Sequence, residues 1–387
     1  MKTVGIDTVT LLLPANKVAL LEPARFTPNA TRVLGASNYD LGRGKYLTAV
    51  CNPFKKDTQE FGYLPYLTLY VGLRGGGLSK GLRVQYSAPK LIRGNNFDET
   101  SETDFEPICQ LILDGLAHYK VRVWGGIETI KDAQCQVIHY SKNFALPYTM
   151  TSNQVLREIR KCDVNAWKAT SEDKYSNGGH GYKTHTKHYE LAFYDKVAEY
   201  FKGKRGQPHY DEDITQLSFD LFKDVERKKI PEVFRMEVRL GNPRTIKTAL
   251  KNARLPPDDI SFRTLFSSSY SQQILQHQLD DYYSRYPKIA SADADNELEL
   301  LSDLFVQNPN RHMSTILAAI GLYTLNQQSG VREIKDVVGV KGVDALHRLS
   351  KKADKELRYK TAKPEVFELL RAELKEFRPV YLADFFE

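Results

Sequence analysis

The sequence is short of cysteine and nearly without tryptophan: 4 Cys and 2 Trp among 387 residues. Cys51, Cys109, Cys135 and Cys162 are too far apart for any CxxC pair, which argues against a zinc ribbon or a redox motif. A chain of this length also needs no disulfide scaffold, so four reduced thiols in a cytoplasmic protein are expected. No GxxxxGKS or GxxxxGKT occurs, and a P-loop ATPase is not expected. No stretch approaches the roughly 20 apolar residues of a membrane span. The N-terminal MKTVGIDTVTLLLPANK has too short an apolar run for a signal peptide, and Asp7 interrupts it. Internal repeats and low-complexity tracts are missing as well.

What remains is the composition of an ordinary folded protein, 41% hydrophobic and 27% charged, long enough for two or three domains. Tyrosine is abundant, 22 residues, which suits half-buried sheets, wet binding surfaces and stacking on bases alike. The net charge of +7 favours a polyanionic partner. The charge is uneven. Residues 341–360 hold seven Lys/Arg against three Asp/Glu, whereas SADADNELELLSDL (291–304) is acidic with no basic residue. That contrast suggests a boundary between parts with different jobs.

The first 150 residues read mainly as strands: VTLLLP near the start, YLTLYVGLR (66–74), LRVQYSAP (82–89) and CQVIHYS (135–141). GGGLSKG between the second and third predicts a hairpin turn. DFEPICQLILDGLAHY (104–119) places Phe105, Ile108, Leu111, Ile112 and Leu116 at helical spacing, and NQVLREIRKCDVNAWK (153–168) predicts another helix. EDKYSNGGHGYKTHTK (172–187) reads as a polar loop leading into the strand KHYELAFYDK (187–196); VFRMEVRL (233–240) is a further strand. Helical patterns dominate after about residue 245. The expected fold class is α+β: a mixed or antiparallel sheet domain with packed helices over residues 1–288, then an α-helical domain over 296–387.

Three strands carry ionisable residues on one face. KHYELAFYDK puts His188, Glu190, Ala192 and Tyr194 opposite Tyr189, Leu191 and Phe193. VFRMEVRL puts Arg235, Glu237 and Arg239 opposite its apolar residues, and CQVIHYS adds His139. Two arginines flanking a glutamate make either a self-neutralising exposed ladder or a phosphate clamp beside a metal ligand. A lone strand histidine is more often a hydrogen-bonded residue than a ligand. If the strands are neighbours, however, His139, His188, Glu190, Glu237 and Tyr194 converge. Phosphodiester chemistry needs such a set, because a phenol with a pKa near 10 is a weak nucleophile without a base, a cation or a metal. His185 and His188 are three apart and face opposite ways, so they are not a strand-borne His-x-His pair.

IDTVTLLLP, RVQYSAPKLIRGNNFDET (83–100), KHYELAFYDK and FRMEVRL, in this order and spacing, resemble the gene II/X replication initiators of filamentous phages and their plasmid and bacterial relatives. The YDK and MEVRL strands are more distantly similar to the Rep-trans plasmid initiators. The tail AAIGLYTLNQQSGVREIKDVVGVKGVDALHRLSKKADKEL (318–357) resembles the C-terminal segment of the phage proteins, so the likeness covers most of the chain. It implies a rolling-circle initiator that nicks and rejoins one strand of a double-stranded origin in the cytoplasm of a bacterial host, with Mg²⁺ or Mn²⁺ and with the host replication helicase and polymerase as partners. It implies Tyr194 as first choice of nucleophile and Tyr189 as second. Glu237 is the first metal ligand, with Glu190, His139 and His188 as further ones. Arg235, Arg239 and Lys196 are implied to hold DNA, and Lys90, Arg93, Asn95 and Asn96 form a DNA-contact loop whose rival reading is a turn capped by asparagine. One departure stands out: Val137 occupies the position of an Asp in the phage proteins. Either His139 replaces that carboxylate or the metal site is altered, which keeps a non-catalytic origin-binding regulator as the alternative. A tyrosine recombinase fits less well, since its tyrosine lies in a helical domain.

VREIKDVVGVKGVDALHRLSKKADKEL has the shape of a helix-turn-helix, with Gly339 and Gly342 framing the turn and Val343, Leu346, Leu349, Ala353 and Leu357 inward. Arg348, Lys351, Lys352 and Lys355 lie on the other side. They are either a solvated basic face or contacts to DNA phosphates, and the resemblance favours DNA. HMSTILAAIGLYTL (312–325) is apolar nearly all round and is expected to be a core helix.

Overall fold

The computed structural model describes residues 2–28, 48–53, 55–74, 77–164, 169–174, 180–201, 232–286, 296–328, 331–357 and 364–385. Its strands, in chain order, are β1 (Ile6–Pro14), β2 (Val18–Leu20), β3 (Thr27–Pro28), β4 (Thr48–Cys51), β5 (Tyr66–Arg74), β6 (Gly77–Ser87), β7 (Val121–Val123), β8 (Gln134–Ala145), β9 (Ala169–Lys174), β10 (His180–His185), β11 (Tyr189–Asp195) and β12 (Val233–Leu240). Among the described residues ten of these form one sheet in the order β3-β4-β5-β6-β1-β8-β12-β11-β10-β9, while β2 and β7 pair separately. Every pairing is antiparallel. The α+β expectation holds, and the sheet is antiparallel rather than mixed.

The β5–β6 hairpin pairs Arg74 with Gly77, as the glycine run requires, although residues 75–76 of its tip lie outside the described residues. The segment expected to be a polar loop instead contributes β9 and β10, which pair with each other and extend the sheet to its edge; its residues 175–179 lie outside the described residues. Polar edge strands with little apolar alternation carry a weak strand signal, which is why composition suggested a loop.

One sheet face is sealed by helices. Leu191, Phe193, Phe234, Met236, Val238, Ile138 and Tyr140 are buried there, and Phe193 meets Tyr282 of the helix Ser268–Ser284 edge-on at 5.4 Å between ring centroids. The helix Phe105–His118 buries Ile108, Ile112 and Leu116 but leaves Leu111 exposed, contrary to its expected inward place. Thr151 and Asn242 cap the helices Ser152–Arg160 and Pro243–Asn252, accepting from Gln154 N and Thr245 N.

The C-terminal part contains the helices Glu297–Gln307, Met313–Gln328, Val331–Glu356 and Glu365–Glu376. Leu300, Leu304, Ile316, Ala319, Ala353 and Leu357 form a small core of their own. Val366, Phe367, Leu370 and Leu374 instead join the large core under the sheet. The last helix of the expected 296–387 unit therefore packs with the first 288 residues. The helix expected to be apolar all round leaves Met313, Leu317 and Leu325 exposed, so only one side of it is core. Gly339 breaks the helix Val331–Glu356 at φ 64°, a backbone that glycine adopts without cost. The break comes where the turn was expected, but as a single-residue kink. Ala353 and Leu357 point inward as expected, whereas Leu349 is 44% exposed. No helix among the described residues is long and apolar enough to cross a membrane.

Candidate active site

The face of β8, β12 and β11 turned away from the large core carries the charged residues. Register aligns His139 with Arg239, Ser141 with Glu237 and Asn143 with Arg235 across β8–β12. Across β12–β11 it aligns Arg239 with Glu190, Glu237 with Ala192 and Arg235 with Tyr194. Period-2 alternation therefore brings four of the five residues expected to converge onto one patch.

Glu237 is its centre. Arg239 donates to both its oxygens, Nε to Oε1 and Nη2 to Oε2, each at 2.9 Å. His139 Nδ1 lies 3.2 Å from Oε1, and the Tyr194 hydroxyl donates to Oε2 at 3.1 Å. Glu190 accepts from Arg239 Nη1 at 2.7 Å. Burial opposes the charge on Glu237, but Arg239 and His139 outweigh it, so its carboxyl is held well below the usual carboxylate range. Burial, reinforced by the Glu237 charge, raises the Tyr194 phenol well above its ordinary value. Tyr194 is 8% exposed.

β1 brings a further carboxylate to this face. From Ile6 to Val9 the chain takes three steps while its partner takes two, from Tyr140 to Ile138. This bulge leaves Asp7 and Thr8 opposite His139 and turns Asp7 onto the charged face, as bulges beside active sites commonly do. One ligand atom each from Asp7, His139 and Glu237 lies within 4.8 Å of the others. Two carboxylates and an imidazole are a donor set for Mg²⁺ or Mn²⁺. Coordination by Glu237 would require Arg239 to yield part of its bidentate hold.

Other expectations change. Tyr189 faces the helices, where its hydroxyl donates to Gln278 at 2.5 Å, so the second-choice nucleophile is on the wrong side of the sheet. His188 lies in the exposed bend between β10 and β11 and is outside the converging ligand trio; strand alternation does not apply beyond Tyr189. Arg235 is 1% exposed and donates through Nε to Asn143 Oδ1 at 2.7 Å, with Nη1 4.0 Å from Asp7. It cannot reach a DNA backbone; its charge is spent beneath the site. Lys196 is likewise 1% exposed and paired with Glu199 at 2.7 Å. Arg239, its side chain 37% exposed, does face solvent.

The expected DNA loop is largely a structural turn. Gly94 ends the helix Ala88–Arg93 in the left-handed region. Asn95 Oδ1 accepts from Phe97 N and Asp98 N, at 2.9 and 2.8 Å, and Arg93 Nη2 holds the buried Asp104 at 2.8 Å. Lys90 sits 5.9 Å over the Tyr63 ring, and Asn96 is half-buried. The turn reading, one of the two alternatives, is the one the hydrogen bonds favour. By contrast Arg348, Lys351, Lys352 and Lys355 are all exposed.

Sequence reasoning missed two contributors. Asp7 was visible only as an interruption of an apolar run, because a bulge leaves no mark in the sequence. Glu99, 2% exposed, accepts from Asn143 N at 2.5 Å, Lys142 Nζ at 3.2 Å and Val380 N at 3.0 Å. It closes the edge of β8 where β1 diverges, and so fixes the Asn143 that holds Arg235.

No protein-family model matches the chain, and no curated protein sequence matches it significantly. Among solved structures it is similar to the rolling circle replication initiator protein from Geobacillus stearothermophilus, with TM-score 0.30 and 11% identity over 72% of this chain and 84% of that chain. A likeness this distant leaves the chemistry to be argued from the residues themselves.

Proposed function

We propose that the chain is a DNA nicking and rejoining enzyme of the rolling-circle initiator type, with Tyr194 as nucleophile and Asp7, His139 and Glu237 as the seat of a divalent cation. The observation that carries this reading is the convergence of that ligand trio with a phenol hydrogen-bonded to one of its members. The resemblance of four ordered segments to phage initiators supports it independently. Mg²⁺ or Mn²⁺ bound there would supply Lewis-acid polarisation of the scissile phosphate. Tyr194 attacks phosphorus, a Tyr194 O–P bond forms, the P–O3′ bond breaks, and the phenolic proton is balanced by the one on the released 3′-OH. Arg235, the cross-strand neighbour of Tyr194, and Lys196, whose Nζ is 6.0 Å from its ring, offset the charge as that proton leaves. Arg239 holds the flanking phosphate from the solvent side. The exposed lysines and arginine of residues 348–355 would bind the origin duplex.

A non-catalytic origin-binding regulator is the second reading. It is favoured by the saturation of Glu237, whose two oxygens already accept from Arg239 and Tyr194. A supercoiled plasmid carrying the DNA that flanks the coding sequence, incubated with the protein and Mn²⁺, separates the two. Nicked circles with protein covalently attached to a 5′ end are expected; shifted but uncut DNA would leave only the regulator.

A further inference from the structure

The helix Met313–Gln328 (MSTILAAIGLYTLNQQ) carries no charged side chain, although its neighbours Glu297–Gln307 and Val331–Glu356 are acidic and basic. A helix at a protein surface ordinarily turns charged residues to water. This one buries Ile316, Ala319 and Leu322 on one side and turns Met313, Leu317, Gly321 and Leu325 outward on the other. The outward four are spaced by four residues, so they form one row along the helix. Met313, Leu317 and Leu325 are 44%, 53% and 45% exposed. Single exposed apolar residues are ordinary. An unbroken apolar row on an uncharged helix is a surface made for contact.

The row is complementary to itself when reversed. We infer that a second copy of this chain covers it, helix against helix in antiparallel order, about a two-fold axis passing between Leu317 and Gly321. In that order Leu317 of each copy meets Gly321 of the other, and Met313 meets Leu325. A Cβ added at Gly321 would find nothing within 4 Å, so the glycine is an open notch between two leucines and receives the partner's Leu317. Rows spaced by four that interdigitate cross at about −50°, the commonest helix packing in globular proteins. Contact of one patch with its own copy is what a two-fold dimer requires. Charge points to the same place. Two chains of net charge +7 repel, and an uncharged helix is where they approach at least cost. Three half-exposed side chains per copy cover less than the roughly 800 Å² per partner of a standard interface, so the dimer is weak and reversible. The inference is independent of the nicking reading, since neither DNA nor metal takes part.

Sedimentation velocity on the full chain, without DNA or metal, tests it. Wild type is expected to pass from monomer to dimer between about 1 and about 100 µM, the weak end of protein association. Leu317→Glu sets a charge in the contact and is expected to raise the dissociation constant about 30-fold or more, the threshold of an interface hot spot. Gly321→Leu fills the notch and is expected to raise it about tenfold by overpacking. Both positions are exposed, so folding is not at risk. Leucine is also the better helix former, so Gly321→Leu should melt no lower than wild type in dilute solution while dimerising less. Orientation is read by disulfide capture, because the four native cysteines are buried. A mixture of Met313→Cys and Leu325→Cys chains should cross-link on mild oxidation, and either variant alone should not. A wild type that stays monomeric throughout would overturn the proposal and leave the row to some other partner. A dimer indifferent to Leu317→Glu would overturn it as well, and cross-linking of Met313→Cys with itself would overturn the antiparallel order. Loss of nicking activity in every preparation would remove the enzyme reading and leave this one standing.

Discussion

Two regions of this molecule carry clusters of positive charge, and they use it in opposite ways. On β12 and on the helix Lys196–Phe201 that follows β11, Arg235 and Lys196 are sealed from solvent and each is matched to Asn143, Asp7 or Glu199 within the protein. On the helix Val331–Glu356, Arg348, Lys351, Lys352 and Lys355 stand in water. A buried cation sets the potential around a neighbouring group and is costly to leave unmatched. An exposed one contributes almost nothing to stability and is available to a phosphate. The sequence shows Lys and Arg in both places; depth alone assigns them to separate jobs.

The comparison breaks most visibly at Tyr194. Tyr194→Phe removes one hydroxyl from the buried cluster and is expected to lower the nicking rate about 10³-fold or more, as loss of a nucleophile does. Tyr189→Phe, on the helix-covered face, should leave nicking intact and cost about 1 kcal/mol through its bond to Gln278. Plasmid-nicking assays with urea unfolding of each variant check both; equal loss from the two substitutions would contradict the assignment of faces.

Glu237→Ala takes away one of the two carboxylates that hold Arg239, leaving it Glu190 alone. Destabilisation of about 1–3 kcal/mol, the cost of charged hydrogen bonds lost from a buried carboxylate, is expected in urea titrations, with loss of Mn²⁺ binding by the protein. A variant as stable as wild type would mean that Arg239 is hydrated rather than held.

The basic helix should behave in the contrary manner. Lys351→Ala with Lys352→Ala is expected to change stability by less than about 0.5 kcal/mol, yet to reduce the slope of log affinity against log salt for duplex DNA by about 2, close to one per lost phosphate contact. Arg235→Met should destabilise the fold and leave that slope unchanged. If the slope follows Arg235 instead, the division of labour is wrong.

The smallest effect is acid sensitivity. Glu237 titrates below its ordinary 4.5 in the folded protein. Its contribution is therefore present above pH 4.5 and declines as pH falls through the lower folded value. The stability difference between wild type and Glu237→Gln should shrink under acid, as followed by thermal melts from pH 6 to pH 3.

Most of the fold was legible because alternation and helical spacing are local. Tyr66–Arg74, Val233–Leu240 and Phe105–His118 could be recognised from their own residues, and so could the shared face of Glu190, Tyr194, Glu237 and His139. Features that depend on neighbours were not legible. β9 and β10 pair through backbone groups with little apolar signature. Leu111 and Leu349 keep helical spacing but are left exposed. Asn95 and Arg93 look like DNA contacts until their hydrogen-bond partners are known.

By itself the sequence determined which residues alternate to one side of each strand, where glycine interrupts a helix, and that the chain has a phenol, an imidazole and carboxylates available for phosphodiester chemistry. Only the tertiary structure decided the partners: that a bulge in β1 turns Asp7 towards His139, that Arg235 and Lys196 lie under the site instead of on it, and that Glu99 closes the open edge of β8. The reason is physical. A residue's facing direction follows from backbone geometry over a few bonds, whereas its burial, and so the strength and purpose of its charge, depends on chain segments tens to hundreds of residues away.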